Sequence, residues 1–513
     1  MRSLFPDAKV PATLPPNDDY NRALRDNVHP AGWMNLEPTG RYHLVIIGAG
    51  PAGLVTAAIG AELGAKVALI EKDFMGGDCL NVGCVPSKGL IAASRAWAKM
   101  RCDDEFGISI PAGTKYDFSV AMARMQKLRA RMSANDSAQR FKALGVDLFF
   151  GEGCFTGADT VLVDGKILTF KKAAICTGAR ATRSNIPGLE NAGYLTNETL
   201  FTLTDLPPRM AVIGAGPLGC EMAQTFARFH SKVSLFVKGN HILPREDADA
   251  AKVVEDQMRR DGISLVFNAN ITRVMSLGKE KSIHYKADWQ EKEQVVDTIL
   301  LCIGRTPNLK GLGLKAVGVQ YDLKSGILIN DLLQTTNPNI FSAGDVCSPF
   351  QFTHTADAMA KILIQNALFP HPFGLGYAKA SAMVIPWCTY TSPEIAHVGI
   401  IEEGIEMDTF TCSLSAIDRA ILDGEEEGFA RIYLAKGTDT LLGATIVSAH
   451  AGEIVSALTL AIKEGIGLSA IAETIYPYPT QSEVIKKVAN EWKKSSFTKQ
   501  KKNILRTWFK FTR

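Results

Sequence analysis

The chain has 513 residues, which is too long for a single hydrophobic core and indicates roughly three domains. Hydrophobic residues make up 46% and charged residues 21%, as in ordinary globular proteins, and no apolar run reaches the roughly 18 residues of a transmembrane helix. The net charge is +3, but eight basic residues and no acidic one fall within 493–513, so the rest is slightly acidic and we expect no nucleic-acid partner.

The first 40 residues carry six prolines and little periodicity, which predicts an extended or partly ordered extension. The N-terminus lacks the apolar core of a secretory signal, so a reducing cytoplasm is the expected location. The ten cysteines are scattered along the chain and do not form the pattern of a disulfide scaffold.

A first βαβ unit follows this extension. Residues 42–47 form an apolar strand that ends at a turn containing Gly48, Gly50 and Gly53, and a helix and a second strand ending at Glu71 come next. Glycines there permit a tight turn and close approach of a pyrophosphate to a helix N-terminus. Glu71 stands 23 residues after Gly48, where an acid binds ribose hydroxyls, so the unit predicts a dinucleotide site.

Two thiols lie a few residues beyond this unit. Cys79 and Cys84 are separated by four residues, so they can close a small ring with little backbone movement. Cys84 precedes a predicted helix start at residues 85–88, where the helix dipole lowers the pKa of a thiol. A zinc site needs two further ligands, and no second cysteine pair or nearby histidine supplies them, so we expect no metal site.

The βαβ pattern recurs 166 residues later, with Gly214, Gly216 and Gly219 in the turn. The position that corresponds to the ribose-binding acid is Val237, and Lys238 follows it. An acid there repels a 2′-phosphate, whereas a lysine attracts one, so this second site favours NADPH over NADH. The alternative is that Lys238 is only a solvated surface charge, which leaves NADH open.

The order of these motifs resembles that of the class I pyridine nucleotide-disulfide oxidoreductases, which include glutathione reductase, dihydrolipoamide dehydrogenase and mercuric reductase. The likeness covers roughly residues 41–490. It implies an α/β fold with two Rossmann-like dinucleotide-binding domains and a C-terminal α+β dimerisation domain. The expected divisions are an N-terminal extension (1–40), an FAD-binding domain (41–205 and 301–378), an NAD(P)-binding domain (206–300), a dimerisation domain (379–490) and a basic, aromatic tail (491–513).

The resemblance also assigns roles to individual residues. Cys84 becomes the thiol next to the flavin and Cys79 the thiol that exchanges with the substrate. Lys88 and Glu221 become an ion pair beside the flavin N5. The remaining cofactor residues implied by the family are Gly77, Gly153, Thr177, Gly178, Arg305 and Asp345 for FAD, together with Gly304 and Glu221 for NADP.

The sequence departs from the glutathione and lipoamide enzymes near its C-terminus. Those enzymes use a histidine as acid and base in a His-Pro-x-x-x-Glu motif, and here Tyr478 occupies the histidine's place while Glu483 is retained. A phenol with a pKa near ~10 is a poor base at neutral pH. Mercuric reductases carry a tyrosine there and another at the position of Tyr194. They also have a C-terminal cysteine pair, whereas the last cysteine of this sequence is Cys412.

We therefore expect a mercuric-reductase-like homodimer that passes electrons from NADPH through FAD and Cys79–Cys84 to a small disulfide or a soft metal ion. The alternatives are a dihydrolipoamide-dehydrogenase-like enzyme and a membrane-surface electron-transfer component. The last is suggested by the tail, where basic residues alternate with Ile504, Leu505, Trp508 and Phe511. On a helix these form a basic, aromatic surface typical of an interfacial anchor, although a disordered tail or one packed on the dimer also fits.

Overall fold

The computed structural model describes residues 14–101, 106–107, 109–111, 113–399, 404–495, 497 and 499–512. These residues form two compact units. The first unit ends at Lys238 and resumes over Ile263–Met383, and the second unit consists of Gly239–Gly262 and the residues from Val384 onward.

The core of the first unit is a seven-stranded sheet whose central strands are parallel. Arg41–Ile47 pairs with Val67–Glu71 on one side and with Lys166–Ile175 on the other. Its last four residues are all buried, which is the near-continuous apolar pattern of a parallel strand covered on both faces. The other strands of this sheet are Asp147–Phe150, Cys154–Gly157, Thr160–Val163 and Ile340–Ser342.

A second, four-stranded parallel sheet repeats the pattern. Arg209–Ile213 pairs with Lys232–Phe236, as Arg41–Ile47 pairs with Val67–Glu71, and Ser264–Val266 and Thr298–Leu301 complete it. Both predicted βαβ units are thus present. The smaller sheets of the first unit contain Asn270–Leu277, Glu280–Ala287 and Gln290–Val296 (antiparallel), Ala179–Ala181 with Arg305–Pro307, and Tyr321–Asp322 with Gly326–Ile327.

Helices surround these sheets in the first unit, and Pro51–Glu62 packs against Thr353–Leu368. The other α-helices of this unit are Asp19–Val28, Gly77–Asn81, Cys84–Arg101, Phe118–Ser133, Ala138–Ala143, Leu189–Ala192, Asn197–Leu200 and Pro217–Arg228, and the 3-10 helices are Ala134–Asp136, Leu314–Val317, Pro372–Gly374 and Ala380–Ala382.

Within the predicted extended or partly ordered extension, Asp19–Val28 is an ordered helix that the sequence pattern did not predict. The side chain of Asp18 caps this helix by accepting a hydrogen bond from the backbone N–H of Asn21 at 2.7 Å. Leu24 and Val28 lie four residues apart on one face and are buried in the core of the first unit. The prolines before the helix obscured this single apolar face in the sequence.

The second unit is built on a five-stranded antiparallel sheet, in the order Trp387–Thr389, Glu394–Gly399, Leu441–Ser448, Phe429–Ala435 and Met407–Ser413. Its helices are Ala248–Arg260, Leu414–Ala416 (3-10), Asp418–Leu422, Ala451–Lys463, Leu468–Glu473, Glu483–Ser495 and Lys499–Phe511.

The segment Gly239–Gly262, expected in the NAD(P)-binding domain, groups with this second unit. Arg431 forms ion pairs with Asp247 (3.1 Å) and Asp249, and the indole N–H of Trp387 donates to Glu246 at 2.6 Å. These contacts explain the grouping, and the predicted domain boundaries stay a prediction. Within the part of the chain that the structure describes, no helix is long and apolar enough to span a bilayer.

Candidate active site

Two turns of the first unit share one backbone geometry. Gly48 has a φ of 103° and Gly214 a φ of 107°. A Cβ atom on Gly48 would lie 2.4 Å from the carbonyl oxygen of Cys176, and one on Gly214 would lie 2.3 Å from that of Cys302. No other residue fits at either position, so both turns bring the helix start against the neighbouring strand.

The next glycine of each turn faces open space. A Cβ on Gly50 would meet only the Cα of Gly77, at 3.8 Å, and one on Gly216 would meet nothing within 4 Å. The helices that follow, Pro51–Glu62 and Pro217–Arg228, have no side-chain cap at their N-termini. Uncapped N–H groups beside open space form a cradle for an anion, so both turns fit a dinucleotide pyrophosphate.

The third glycine of each turn is required by close packing. A Cβ on Gly53 would lie 1.8 Å from the carbonyl oxygen of Gly48, and one on Gly219 would lie 1.9 Å from that of Gly214. The predicted role of these glycines in tight turns thus has a direct steric basis in both units.

The acidic position distinguishes the two sites. Glu71 is buried, and its oxygens accept hydrogen bonds from the backbone N–H groups of Ala49 (2.7 Å) and Asp73 (2.8 Å). Burial raises the pKa of Glu71 to about 7. Val237 is buried at the corresponding place and offers no acceptor, while Lys238 beside it is exposed.

The two thiols lie in consecutive helices of the chain. Cys79 lies half-buried in Gly77–Asn81, and Cys84 is exposed and begins the helix Cys84–Arg101. The Sγ atom of Cys84 lies 3.4 Å from the Oγ1 of Thr353. A hydrogen bond from Cys79 is the main cause that lowers the pKa of Cys84, to about 6, and the same bond raises the pKa of Cys79. The pair therefore holds one thiolate, on Cys84, near neutral pH.

The predicted ion pair forms in the first unit. The Nζ of Lys88 lies 2.9 Å from the Oε2 of Glu221. Lys88 is in the helix that Cys84 begins, one turn after the thiol, and Glu221 lies buried in Pro217–Arg228. The Glu221 side chain is itself buried, so this charge-assisted hydrogen bond holds the partly exposed ammonium group of Lys88 in place.

Arg305 connects several of the predicted FAD residues. It forms ion pairs with Asp78, next to Cys79, and with Asp345 at 3.5 Å, and it donates to the carbonyl oxygen of Ala179 at 2.7 Å. Burial raises the pKa of Asp345. Arg305 thus links its own strand, Arg305–Pro307, to the helix Gly77–Asn81, which contains Cys79.

The remaining predicted cofactor residues surround this region. The hydroxyl of Thr177 donates to the carbonyl oxygen of Asn308 at 2.8 Å, and Gly178 and Gly304 have positive φ values of 64° and 115°. A Cβ on Gly77 would lie 2.8 Å from the Cα of Gly50, so this glycine lets the two turns meet.

Gly153 has a packing reason that needs no cofactor. A Cβ there would lie 3.1 Å from a side-chain atom of Ile47 and 3.2 Å from one of Ile70.

The two tyrosines lie in different units. The hydroxyl of Tyr194 donates to Glu190 at 2.9 Å, and burial raises its pKa to about 12. Tyr478 is 70% exposed in the second unit, and its hydroxyl donates to Asp418 at 3.0 Å, which raises its pKa. Glu483 instead accepts from the backbone N–H of Thr480, at 3.4 Å.

Sequence reasoning missed Thr353, Asp78 and Asp418 as site residues. Thr353 and Asp418 stand in the segments 352–357 and 418–420, and the resemblance of these two segments to mercuric reductases is the one signal that the sequence carries for them. Each contacts a partner far along the chain: Cys84 for Thr353 and Tyr478 for Asp418. No local pattern predicts such pairs.

A family model described as pyridine nucleotide-disulphide oxidoreductase matches residues 42–360 of the chain. The chain belongs to this family. The model of the family's dimerisation domain matches residues 385–489. The mercuric reductase of Lysinibacillus sphaericus is 35% identical over 453 residues, which cover 87% of this chain and 82% of that protein. The dihydrolipoyl dehydrogenase of Chlamydia muridarum is 30% identical, with 86% and 95% covered.

A solved structure extends the likeness to three dimensions. The HOCl-induced flavoprotein disulfide reductase RclA from Escherichia coli matches with a TM-score of 0.77 and 26% identity, covering 88% of this chain and 99% of that one. The same protein has been solved as a Cu(II) complex.

These findings confirm the class I family, the fold class and the assignment as an enzyme. The protein is an oxidoreductase that, like its family, uses FAD and a pyridine nucleotide, and the two glycine cradles fit these groups. The dimerisation domain supports the expected homodimer.

Proposed function

We propose that this enzyme is a mercuric-reductase-like reductase that uses NADPH, FAD and the Cys79–Cys84 pair to reduce a small disulfide or a soft metal ion. The proposal rests on the surroundings of the Cys84 sulfur. Its sulfur lies at a helix N-terminus, within 3.4 Å of the Thr353 hydroxyl and one turn before Lys88. These features stabilise a thiolate, which is the form of a cysteine that attacks disulfides and binds soft metals.

FAD, when bound, supplies a two-electron relay between the nicotinamide and the disulfide. Lys88, held by Glu221, places a positive charge beside the thiols, and it stabilises negative charge there. Reduction of the Cys79–Cys84 disulfide takes two electrons and two protons and gives two thiols. Cys84 then loses its proton first, because its pKa is the lower of the two.

With a disulfide acceptor, Cys79 passes its proton to its hydrogen-bond partner, the Cys84 thiolate, and attacks one acceptor sulfur, and the other acceptor sulfur leaves as a thiolate that takes up a proton. Cys84 then attacks Cys79, which re-forms the ring disulfide and releases the second thiol. With Hg²⁺, the two thiols lose their protons as the sulfurs bind the ion, and transfer of two electrons from the sulfurs to the ion re-forms the Cys79–Cys84 disulfide. Cu²⁺ accepts one electron per ion, so two ions are reduced for each disulfide formed. Both routes use the same pair, so the pocket around it selects the acceptor.

Anaerobic reduction tests the redox pair. We expect two-electron reduction to produce the long-wavelength absorbance of a thiolate next to FAD. Cys84→Ser should abolish this band, and Cys79→Ser should show it without any reductant, because its Cys84 cannot form a disulfide. A band that survives Cys84→Ser would reverse the assignment of the thiols.

An acceptor panel then tests the substrate class. Reduction of Hg²⁺, Cu²⁺, oxidised glutathione, lipoamide and quinones should be compared at equal enzyme concentration. We expect Hg²⁺ or Cu²⁺ to exceed lipoamide and oxidised glutathione, since Tyr478 replaces the histidine base of both the lipoamide and the glutathione enzymes. Lipoamide as the best acceptor would favour the dihydrolipoamide-dehydrogenase-like alternative instead.

The coenzyme proposal rests on the difference between the two nucleotide sites. Val237 takes the position that Glu71 has in the first site, and it is buried. The next residue, Lys238, is exposed and supplies a cation beside that position. Val237→Glu combined with Lys238→Ala should shift the ratio of kcat/KM values from NADPH toward NADH by about tenfold or more, since one charged contact contributes about 1.5–3 kcal/mol. A wild type that already prefers NADH would contradict the proposal.

A second proposal concerns the helix Lys499–Phe511. Trp508 is 62% exposed and Phe511 83% exposed, and basic residues flank them on an otherwise solvent-facing helix. Exposed aromatic groups beside cations are the chemistry of an interfacial anchor on an anionic bilayer. We propose that this helix gives the enzyme a peripheral contact with such surfaces.

A further inference from the structure

Two side chains from outside hold the loop that joins the thiols. We call residues 79–84, which run from within the helix Gly77–Asn81 to the start of the helix Cys84–Arg101, the thiol loop. Arg129 donates from Nη1 to the carbonyl oxygen of Asn81 at 2.7 Å, and Asn197 donates from Nδ2 to that of Val82 at 3.2 Å. These are the two central carbonyls of the loop, so it is fixed at its middle by two separate elements of the first unit.

Arg129 is unusually placed for an arginine. It is 5% exposed, although it lies in the helix Phe118–Ser133, and burying a guanidinium group is costly unless its donors are used. Its Nη2 donates to the Oδ1 of Asn21 at 2.6 Å, in the N-terminal helix Asp19–Val28. Asn21 is itself 2% exposed and donates to the carbonyl oxygen of Pro16 at 2.8 Å.

Asn81 continues this chain of contacts toward the first nucleotide cradle. Its Nδ2 donates to the carbonyl oxygens of Met75 at 3.0 Å and Gly77 at 2.8 Å. Gly77 is the glycine that meets Gly50. A single line of hydrogen bonds therefore runs from the N-terminal helix through Arg129 and the thiol loop to the cradle.

We propose that Arg129 and Asn197 are positioning residues that set the dithiol–disulfide equilibrium of Cys79 and Cys84, and that the N-terminal helix acts by holding Arg129. The inference rests on the proposed function, in which this pair is redox-active. Closing the ring brings the sulfurs to about 2.05 Å and releases two electrons and two protons. A loop held at both central carbonyls keeps the thiols close, which raises their effective concentration and stabilises the disulfide.

Equilibration of purified holoenzyme with mixtures of reduced and oxidised glutathione tests this proposal. After alkylation, mass spectrometry of the peptide containing Cys79 and Cys84 gives the fraction reduced. Arg129→Met should shift the equilibrium constant at least fivefold toward the dithiol, Asn197→Ala should shift it in the same direction, and Arg129→Lys should recover part of the difference.

The matched control is Arg124→Met, on the same helix. Arg124 donates to the carbonyl oxygen of Gly89 at 3.0 Å, outside the thiol loop, so its removal should leave the equilibrium within twofold of wild type. Thermal unfolding of every variant separates a loss of global stability from a change in the thiol equilibrium.

If Arg129→Met does not fold, Asn197→Ala and Asn21→Ala decide, and both should still shift the equilibrium toward the dithiol. An equilibrium that stays within twofold of wild type in the folded variants would overturn the inference alone. A wild-type pair that never interconverts between dithiol and disulfide would overturn the proposed function, and the inference with it.

Discussion

The sulfur of Cys84 is affected by several groups whose effects on its pKa have opposite signs. The hydrogen bonds from Cys79 and Thr353 and the charge of Lys88 lower this pKa, whereas the partial loss of water around the sulfur and the charge of Glu221 raise it. The net result is a pKa of about 6. The Thr353 hydroxyl is the contact that can be removed with the least change in shape, because valine is also branched at Cβ.

Thr353→Val should therefore raise the pKa of Cys84 by about one unit, because a hydrogen bond to a charged group contributes about 1.5–3 kcal/mol and one unit corresponds to about 1.4 kcal/mol. In the two-electron-reduced enzyme, the thiolate absorbance should fall as the pH drops through about 6 in wild type and at a higher pH in the variant. Thr353→Ser keeps the hydroxyl and serves as the control. Identical titration midpoints for wild type and Thr353→Val would contradict this account.

Tyr478 offers a second test at the scale of one side chain. Its phenol has a raised pKa because it donates to Asp418, so it holds its proton at neutral pH. Tyr478→His would place a group with a pKa near ~6.5 beside the same carboxylate, and general acid–base catalysis contributes about 100-fold or more. Activity toward lipoamide or oxidised glutathione should rise at least about tenfold.

Tyr478→Phe is the matched control, since it lacks both the hydroxyl and a titrating group. Equal activities of the histidine and phenylalanine variants would show that the shape of the pocket, and not proton transfer, excludes these acceptors.

The residues that we propose for the site could be named from the sequence because they stand in short motifs with fixed spacing. The partners of these residues could not. Thr353 meets Cys84 across 269 positions and Arg129 meets Asn81 across 48, and no periodicity encodes such distances. The sequence therefore predicts the thiols and glycines as candidate site residues. The side chains that contact them, such as Thr353 and Arg129, are identified only in the structure.

At the scale of elements, local patterns predicted the two βαβ units and the helix that begins at Cys84. They did not predict the helix Asp19–Val28 or the grouping of Gly239–Gly262 with the second unit. The N-terminal helix was hidden by prolines, and Gly239–Gly262 was expected in the NAD(P)-binding domain because it follows that domain's strand in the chain. Its contacts with Arg431 and Trp387 group it with the second unit, and such contacts leave no trace in sequence order.

At the scale of elements, we predict that the C-terminal helix Lys499–Phe511 binds anionic vesicles. Removing the residues after Ser495 deletes the helix Lys499–Phe511 and leaves the preceding helix, Glu483–Ser495, whole. The full-length enzyme should sediment with anionic vesicles at low salt, and the truncated enzyme should not. Each basic residue near the surface contributes about 1 kcal/mol, which salt screens.

Two controls separate the sources of that binding. Trp508→Ala with Phe511→Ala keeps every charge and should weaken binding at all salt concentrations, whereas neutral vesicles should bind the wild type poorly. Equal sedimentation of the truncated and full-length enzymes would end the membrane proposal.

At the scale of the whole molecule, the Cys79–Cys84 pair of one subunit can act with Tyr478 of the same chain or with that of the partner subunit. The chain carries its family's dimerisation domain, and Tyr478 lies in the unit that contains that domain, whereas Cys79 lies in the other. From the resemblance to this family we predict that the partner subunit's Tyr478 faces the thiols. If it does, each site of the homodimer is built from both chains, and an isolated subunit lacks a complete one.

Mixed dimers test this arrangement directly. A heterodimer of a Cys79→Ser chain and a Tyr478→Ala chain, purified through two different tags, holds one site with both residues intact if Tyr478 acts across the interface. It should then show about half the activity of the wild-type dimer, while both parent homodimers stay at least about tenfold lower. If Tyr478 acts within its own chain, neither site is intact and the heterodimer is as inactive as its parents.

The control is a heterodimer of Cys79→Ser and Cys84→Ser chains. Both cysteines of a site belong to one chain, in its helices Gly77–Asn81 and Cys84–Arg101, so no site in this heterodimer is complete under either arrangement. Activity recovered there would indicate contaminating wild-type dimer, and only the difference between the two heterodimers measures complementation. A Tyr478→Ala homodimer as active as wild type would instead remove Tyr478 from the site and leave the acceptor to the thiols and Tyr194.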